Sequence, residues 1–357
     1  MFWLLPTFSM SGNKPLRIGI VSWDWDLPIG GMGRHVESLR SGLSARGHAV
    51  SVFSRTDLRL PFGRSILFSL LLSIPLRRWI QSFHPDILHV HAGPGGVFLL
   101  SKPKHLPLLV TANHTYADQV RCVGQQWKRL LIPFERRTYR LADHILCLSE
   151  DTAHSLVHDY GIDRSKLSVV GCGIDTEKFE SSDLPLQSRA QRCVFIGRSD
   201  ARKGFDLLLA AWPLVLEKVP DAQLRAIGIQ SALAPSVICK ARCSDSELAL
   251  LLGSSRIVVC PSRLEGFGLA AAEATASGTP VVATDVPGLR STVTNFETGL
   301  LTSLDPHDIA VKIISLLSDD ILWERFHVGC QRARSRFEAR LEIDLHCEIY
   351  SDVYLHQ

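Results

Sequence analysis

Residues 256–274 read Arg256-Ile257-Val258-Val259-Cys260-Pro261-Ser262-Arg263-Leu264-Glu265-Gly266-Phe267-Gly268-Leu269-Ala270-Ala271-Ala272-Glu273-Ala274. The run Arg256–Cys260 predicts a buried strand, Gly266 and Gly268 a tight turn, and the alanines a helix. A strand that feeds a helix through such a turn is the unit of an open parallel α/β sheet, whose ligands bind at the carboxyl ends of the strands. Two carboxylates mark this unit. Glu273 follows Glu265 by eight positions, read as two helical turns or about 11 Å, which suits one elongated polar ligand held at both ends. The free N–H groups at the helix start would face a phosphate placed there. Taken alone, the pair reads better as two solvated carboxylates on a surface helix, so the rest of the chain has to decide.

Outward from this stretch the same alternation fills the chain. Strands are predicted at Leu16–Ser22, Ala49–Ser54, Ile87–His91, Leu108–Thr111, His144–Ser149 and Leu167–Val170. After a polar stretch, Ser181–Gln191, the pattern restarts at Cys193–Gly197 and continues at Leu224–Ile227, Val237–Lys240, Arg256–Pro261 and Pro280–Thr284. Continuous apolar strands alternating with helices indicate parallel sheets covered on both faces. The polar break and restart indicate two such units. The expected plan is an apolar extension at 1–14, a first Rossmann-like domain at 15–185, a second at 186–335, and a final helix at 336–357 that crosses back to the first. At 357 residues the chain has room for two cores.

Composition narrows the function. A net charge of +3 is too small to imply nucleic acid. Nine cysteines, an odd number without a CxxC pair, read as thiols in a reducing compartment, not a disulfide framework. The apolar start Met1–Met10 lacks a basic leader and a cleavage site, so no signal peptide is expected, and Met10 offers a second start. The longest apolar run, Ile66–Leu76, is too short to span a bilayer and contains Pro75. It reads as a core helix, with an interfacial helix on anionic lipid as the other reading. Lys128, Arg129, Arg136, Arg137 and Arg140, with Trp127 and Phe134, read either as a solvated face or as a surface for anionic headgroups. A cytoplasmic protein, in peripheral contact with the inner face of a membrane at most, is expected.

The loops carry the chemistry. Gly30-Gly31-Met32-Gly33 follows the first strand and opens a helix, so backbone N–H groups there can approach a phosphate. A dinucleotide fingerprint needs a glycine where Val36 stands and an acidic residue at the end of the second strand, where Ser54-Arg55-Thr56 follows; a dehydrogenase is disfavoured. Gly197-Arg198-Ser199-Asp200-Ala201-Arg202-Lys203-Gly204 lies at another strand-to-helix passage. Its guanidinium and ammonium groups can neutralise a diphosphate, and it is not a Walker loop. His89 and His91 share one strand face, yet no acidic cluster adjoins them in sequence, so no metal is expected there. Asp24-Trp25-Asp26 runs straight into the glycine loop, an unsuitable place for a metal-binding Asp-x-Asp. His114 ends a strand of the first unit, where it would face the cleft.

These residues, in this order, resemble the retaining family-4 glycosyltransferases of GT-B fold, from about Leu16 to residue 330. The likeness rests on the Gly30-Gly31 turn, Pro85-Asp86-Ile87-Leu88-His89-Val90-His91, His114, Ala142-Asp143-His144-Ile145 with Ser149-Glu150, Gly171-Cys172-Gly173-Ile174-Asp175 with Phe179, Arg198 with Lys203, and Glu265-x7-Glu273. Two departures stand out. Cys172 replaces the usual asparagine, and only Gly228–Ser236 separates two strands where the family has a helix beside the nucleotide base.

The resemblance implies two Rossmann-like parallel-sheet domains facing across a cleft. It implies transfer of a sugar from a nucleoside-diphosphate sugar to a hydroxyl acceptor, glycan or lipid-linked, without a metal or other cofactor. His114, Arg198, Lys203 and Glu265 would act at the reaction centre. Gly30, Gly31, Gly197, Gly266, Phe267, Gly268, Leu269 and Glu273 would hold the donor, with Glu273 on the ribose. Two further readings stay open: a nucleotide-sugar-binding homologue without catalysis, suggested by the shortened base region, and a sugar-nucleotide epimerase.

Overall fold

The computed structural model describes residues 14–25, 31–60, 65–94, 96–180 and 184–356. Gly30 and Asp26 therefore lie outside the described residues, as does nearly all of the apolar extension. Twelve strands form two sheets among the described residues. The first contains β1 (Arg17–Val21), β2 (Ala49–Phe53), β3 (Ile87–Ala92), β4 (Leu108–Ala112), β5 (His144–Cys147) and β6 (Leu167–Val169). The second contains β7 (Ala190–Ile196), β8 (Gln223–Ile227), β9 (Val237–Lys240), β10 (Ser255–Cys260), β11 (Val281–Thr284) and β12 (Gly299–Thr302). The orders are β2-β1-β3-β4-β5-β6 and β12-β11-β10-β7-β8-β9. Every paired strand runs parallel to its neighbour.

Burial explains the choice of residues. β3, β4, β10 and β11 are buried at every position, because helices cover both faces of these inner strands. Gly19 in β1 admits the helix Ser73–Phe83: a Cβ there would stand 2.8 Å from the Trp79 ring. β12 was not predicted. At four residues, Gly299-Leu300-Leu301-Thr302, it is a short edge strand whose apolar content is two leucines. The apolar run Ile66–Leu76 becomes two helices, Ser65–Leu71 and Ser73–Phe83, and only half of it is core. Phe68, Leu72 and Leu76 are buried, whereas Ile66, Leu70, Leu71 and Ile74 are exposed.

The order of the second sheet reverses direction between β7 and β10, which are hydrogen-bonded neighbours although three strands apart in the chain. The passages after these two strands, Gly197–Lys203 and Pro261–Gly268, therefore meet at the switch point of the sheet, where open α/β sheets bind ligands. The first sheet has its own reversal between β1 and β3.

The helix Ala339–Leu355 leaves the second unit and packs on the first. Ile174 N–H donates to the Phe337 carbonyl (2.7 Å) and Ala339 N–H to the Ile174 carbonyl (3.0 Å) where the chain crosses. Ile343, Ile349 and Tyr350 then complete a core cluster with Ile18, Leu39 and Leu43. The Ile343 side chain lies 2.6 Å from where a Cβ on Gly42 would be. Truncating an isoleucine so packed costs about 2–5 kcal/mol.

Candidate active site

At the switch point the Glu265 carboxylate lies between two cations from the β7 passage. Its Oε1 accepts from Lys203 Nζ (2.6 Å) and Ser262 Oγ (2.7 Å), and its Oε2 from Arg202 Nη1 (2.9 Å). Both cations come from the short 3-10 turn Ala201–Lys203, which Gly204 ends in the left-handed region at φ +66°. A Cβ on Gly204 would strike the Pro261 carbonyl at 1.8 Å, so only glycine lets the two passages meet this closely. Burial works to raise the Glu265 pKa, but Lys203 and Arg202 outweigh it and bring the carboxyl down to about 2.

Arg202 was quoted in the sequence motif without a role, which was given to Arg198. The structure sets the two arginines in different surroundings. Arg198 is exposed beside Asp200 (3.7 Å), while Arg202 is largely enclosed and touches Glu265. The difference follows from the turn: Arg202 and Lys203 sit side by side at its end, whereas Arg198 leaves the strand one residue after Gly197.

Glu273 is built differently. The helix begins at Leu269, with Gly268 before it at φ +98°. Residues 265–268 are therefore non-helical, and Glu273 lies one turn into the helix, not two turns beyond Glu265 as the sequence suggested. Its Oε1 pairs with Arg34 Nη1 (2.9 Å) and its buried Oε2 has no partner among the described residues. Burial raises the Glu273 pKa above the ordinary carboxylate value, and Arg34 offsets this in part. Arg34 belongs to the helix Gly31–Ala45 of the first unit, so this ion pair spans the two.

Three further contacts join the units at the same place. A Cβ on Gly31 would stand 3.0 Å from Leu269 Cδ1, and one on Gly266 would stand 2.6 Å from the Asn113 carbonyl. Gly288 N–H donates to Asp151 Oδ2 at 3.3 Å. Phe267 packs edge-on against Phe337, with ring centroids 6.2 Å apart. Gly197 is fixed by its N–H to the Ile227 carbonyl (2.9 Å) and lies against the Lys203 stem.

His114, buried at the end of β4, completes the group. Burial first, then the positive charge of Arg202, lowers its pKa to about 3, so the ring is neutral near pH 7. Gln119 fixes its tautomer. Lys128 Nζ donates to the Gln119 carbonyl oxygen, so the amide nitrogen must face His114 Nε2, at 2.9 Å. Nε2 accepts and Nδ1 carries the proton, with no partner among the described residues. Gln119 escaped the sequence reading, and Lys128 was read only as part of a basic surface, because their contact with His114 appears only when the helix Tyr116–Val123 and the turn Gln126–Leu131 come together next to it.

The Gly228–Ser236 connection contains no helix or strand. It is nonetheless held: Ile229 is buried, and Trp212 Nε1 donates to the Pro235 carbonyl at 3.0 Å. His89, read as one half of a pair, bridges Tyr350 Oη and Thr111 Oγ1 at 2.6 Å each. All nine cysteines are unpaired. Among the described residues no helix is long and apolar enough to cross a membrane.

The arrangement can bind a molecule with a diphosphate and two separate polar ends. Lys203, Arg202 and the start of the helix Leu269–Ala276 supply positive potential. Comparison with known proteins gives the family. Residues 29–178 match the Glycosyltransferase Family 4 profile, and residues 176–329 match Glycosyl transferases group 1. The chain is 26% identical to a glycogen synthase of Mycobacterium tuberculosis, with 94% of each covered. It is also 26% identical to that organism's phosphatidyl-myo-inositol mannosyltransferase, over 90% of this chain and 93% of the relative. Sucrose-phosphate synthase from Thermosynechococcus elongatus has the same fold, with a TM-score of 0.80 at 20% identity, covering 96% of this chain and 100% of that one. The two profiles meet in the linker between the sheets and together cover every strand but β1. The chain therefore belongs to the family 4, group 1 glycosyltransferases and has their GT-B architecture.

Proposed function

We propose that this glycosyltransferase takes its sugar from a nucleoside-diphosphate donor and transfers it to a hydroxyl with retention at the anomeric carbon. The observation that carries this reading is the Glu265–Lys203–Arg202 cluster at the switch point. Two cations neutralised by one carboxylate form a site that a diphosphate can enter by taking over part of their charge. Lys203, Arg202 and the amides at the start of the helix Leu269–Ala276 would then stabilise the departing diphosphate, the largest electrostatic demand of the reaction.

Glu265, kept anionic, would orient the sugar hydroxyls together with the amides of Gly266, Phe267, Gly268 and Leu269. His114 would donate from Nδ1 to the sugar. Glu273 would accept the ribose hydroxyls once Arg34 gives way. Gly31, and Gly30 beside it in sequence, would line the phosphates from the other side. Arg198, exposed at the mouth, would act on the approaching donor more than on the transition state. The acceptor oxygen bonds to the anomeric carbon on the face from which the phosphate oxygen departs, and the acceptor proton passes to that oxygen. No metal enters these steps.

The acceptor we infer is presented at an anionic membrane surface. Ile66, Leu70, Leu100 and Phe134 line a small apolar groove and are exposed, as are Trp127 and Leu130 nearby in the chain. Exposed Arg77, Arg78, Arg129, Arg137 and Arg140 lie on the same helices or beside them. Apolar side chains within a basic surround suit anionic headgroups over acyl chains. A relative named for mannosylating phosphatidyl-myo-inositol supports a lipid acceptor. Such a location would be the inner face of a membrane.

Calorimetry with UDP, GDP and ADP tests the donor site. One nucleotide should bind, and Lys203→Ala should weaken it more than tenfold. Binding of none would overturn the donor reading and favour a homologue without catalysis. With the matching sugar nucleotide, NMR should show a product of the donor's anomeric configuration that appears only with an acceptor. An inverted product, or conversion of the donor alone, would refute the mechanism.

A further inference from the structure

Beneath the crossing helix lies a group of side chains that sugar transfer does not use. His35 from the helix Gly31–Ala45, Cys172 from the linker between the sheets, and Glu342 from the helix Ala339–Leu355 converge with their ligand atoms all within 4.8 Å of one another. All three are buried. The structure assigns to them a metal site, for zinc or a divalent ion of like preference, that ties the linker and the crossing helix to the first domain.

Three observations carry it. First, the donor set fits. A thiolate, an imidazole and a carboxylate are zinc ligands, and the two anions neutralise the dication, so the occupied site buries no net charge. Second, adjoining imidazoles lack partners. His35 Nδ1, both nitrogens of His91 and His346 Nε2 are buried without a hydrogen bond among the described residues, in an interior where such groups are normally paired. His91 lies 5.6 Å from His35 between ring centroids and has both nitrogens free, which makes it the nearest candidate for a fourth ligand; His346 is held through Nδ1 on the Glu342 carbonyl (2.8 Å). Third, the carboxylate is already oriented. Gly173 N–H donates to Glu342 Oε2 at 2.7 Å, the kind of support that holds a metal ligand in place. Oε1 is left facing His35 Nε2 at 2.5 Å.

Metal entry replaces protons. The Cys172 thiol loses one, and the His35–Glu342 pair loses the one it shares; both pass to the buffer, and sulfur–metal, nitrogen–metal and oxygen–metal bonds form. His35 and Cys172 are 137 positions apart in sequence, and Glu342 is another 170 further on, so no local motif announces the site.

The experiment uses the full chain, purified without a metal-binding tag. Elemental analysis should find about one zinc per chain. After removal of zinc, titration with Co2+ should produce tetrahedral d–d bands and a near-ultraviolet thiolate-to-cobalt band. Cys172→Ser and Cys172→Asn, the latter restoring the residue usual in the family, should abolish the thiolate band and weaken binding more than about 100-fold, beyond the loss typical of an outer-shell partner. Cys122→Ser, at a different surface, should leave both intact. Absence of zinc together with absence of a cobalt spectrum would overturn the site and leave a metal-free ion pair. Retention of the thiolate band in both Cys172 variants would also overturn it, by placing the metal elsewhere. Because the readouts are spectroscopic and compositional, they stand apart from turnover, and a folded Cys172→Asn protein should still transfer sugar with EDTA present.

Discussion

Glu265 and Glu273 stand eight residues apart on one passage, are both buried, and are held in opposite ways. Glu265 is surrounded by cations of its own domain and stays ionised down to about pH 2. Glu273 meets one cation, Arg34, which comes from the other domain, and its pKa is raised by burial. One end of the site is built before the domains meet; the other depends on how they meet. The difference teaches that the Glu265 end is a fixed electrostatic device, while the Glu273 end, which we propose holds the ribose, depends on how the two domains meet.

The largest effect should come from Glu265→Gln. It removes the charge that compensates two enclosed cations, and breaking a buried pair from one side costs about 3–5 kcal/mol. Denaturant unfolding should show this loss, and bound nucleoside diphosphate should restore more stability to the variant than to the parent. The sign with pH follows from the lowered pKa. Glu265's stabilisation is present above the ordinary carboxylate pKa of 4.5 and is lost as pH falls towards about 2, so the parent and variant curves should converge in that window. Equal stability at pH 7 would break the comparison at its fixed end.

Next in size is Lys203→Ala, where loss of a transition-state cation should lower kcat by about 10²–10³, or roughly 3–4 kcal/mol. Arg202→Ala should fall in the same range and Arg198→Ala well below it. Steady-state kinetics that rank Arg198 above Arg202 would show that the donor rearranges the turn.

The smallest effect belongs to Glu273, the end where we propose that the ribose binds. Glu273→Gln should raise the donor KM by about 10–100-fold, the worth of hydrogen bonds to a charged group. Because the Glu273 pKa is raised, its protonated form gains as pH falls, and the parent's donor KM should climb on the acid side well before Glu265 titrates. The Gln variant should lack this limb. Arg34→Ala, which removes the cation opposing burial, should move the limb to higher pH. A limb that Arg34 does not move would mean that the ion pair across the cleft does not persist in solution.

The same comparison shows how much the sequence revealed. The Glu265 end was legible because strand, glycine turn and helix are local, and β10 and its passage fall within twenty residues. The inward turn of Arg202 was not legible, since which of two nearby arginines turns inward is settled by Gly204 and by the Pro261 carbonyl it must pass. β12 was missed because a four-residue edge strand carries little apolar periodicity. The partner of Glu273 was in plain view in Gly33-Arg34-His35, yet pairing across 239 positions depends on the placement of the two domains, which no local pattern encodes. The His35–Cys172–Glu342 convergence is hidden for the same reason.

The return of the last helix also orders events in time. His35 is covered by Glu342 and His89 by Tyr350, residues 307 and 261 positions later. On a ribosome adding about 5–20 residues per second, the first sheet, complete only at Val169, would wait roughly 9–37 s for the helix Ala339–Leu355 that seals it. Throughout that interval the groove formed by Ile18, Leu39 and Leu43 is open to other nascent chains and to chaperones. The domain synthesised first is therefore the one finished last, and a chain that stops short of the final helix would leave its oldest part incomplete.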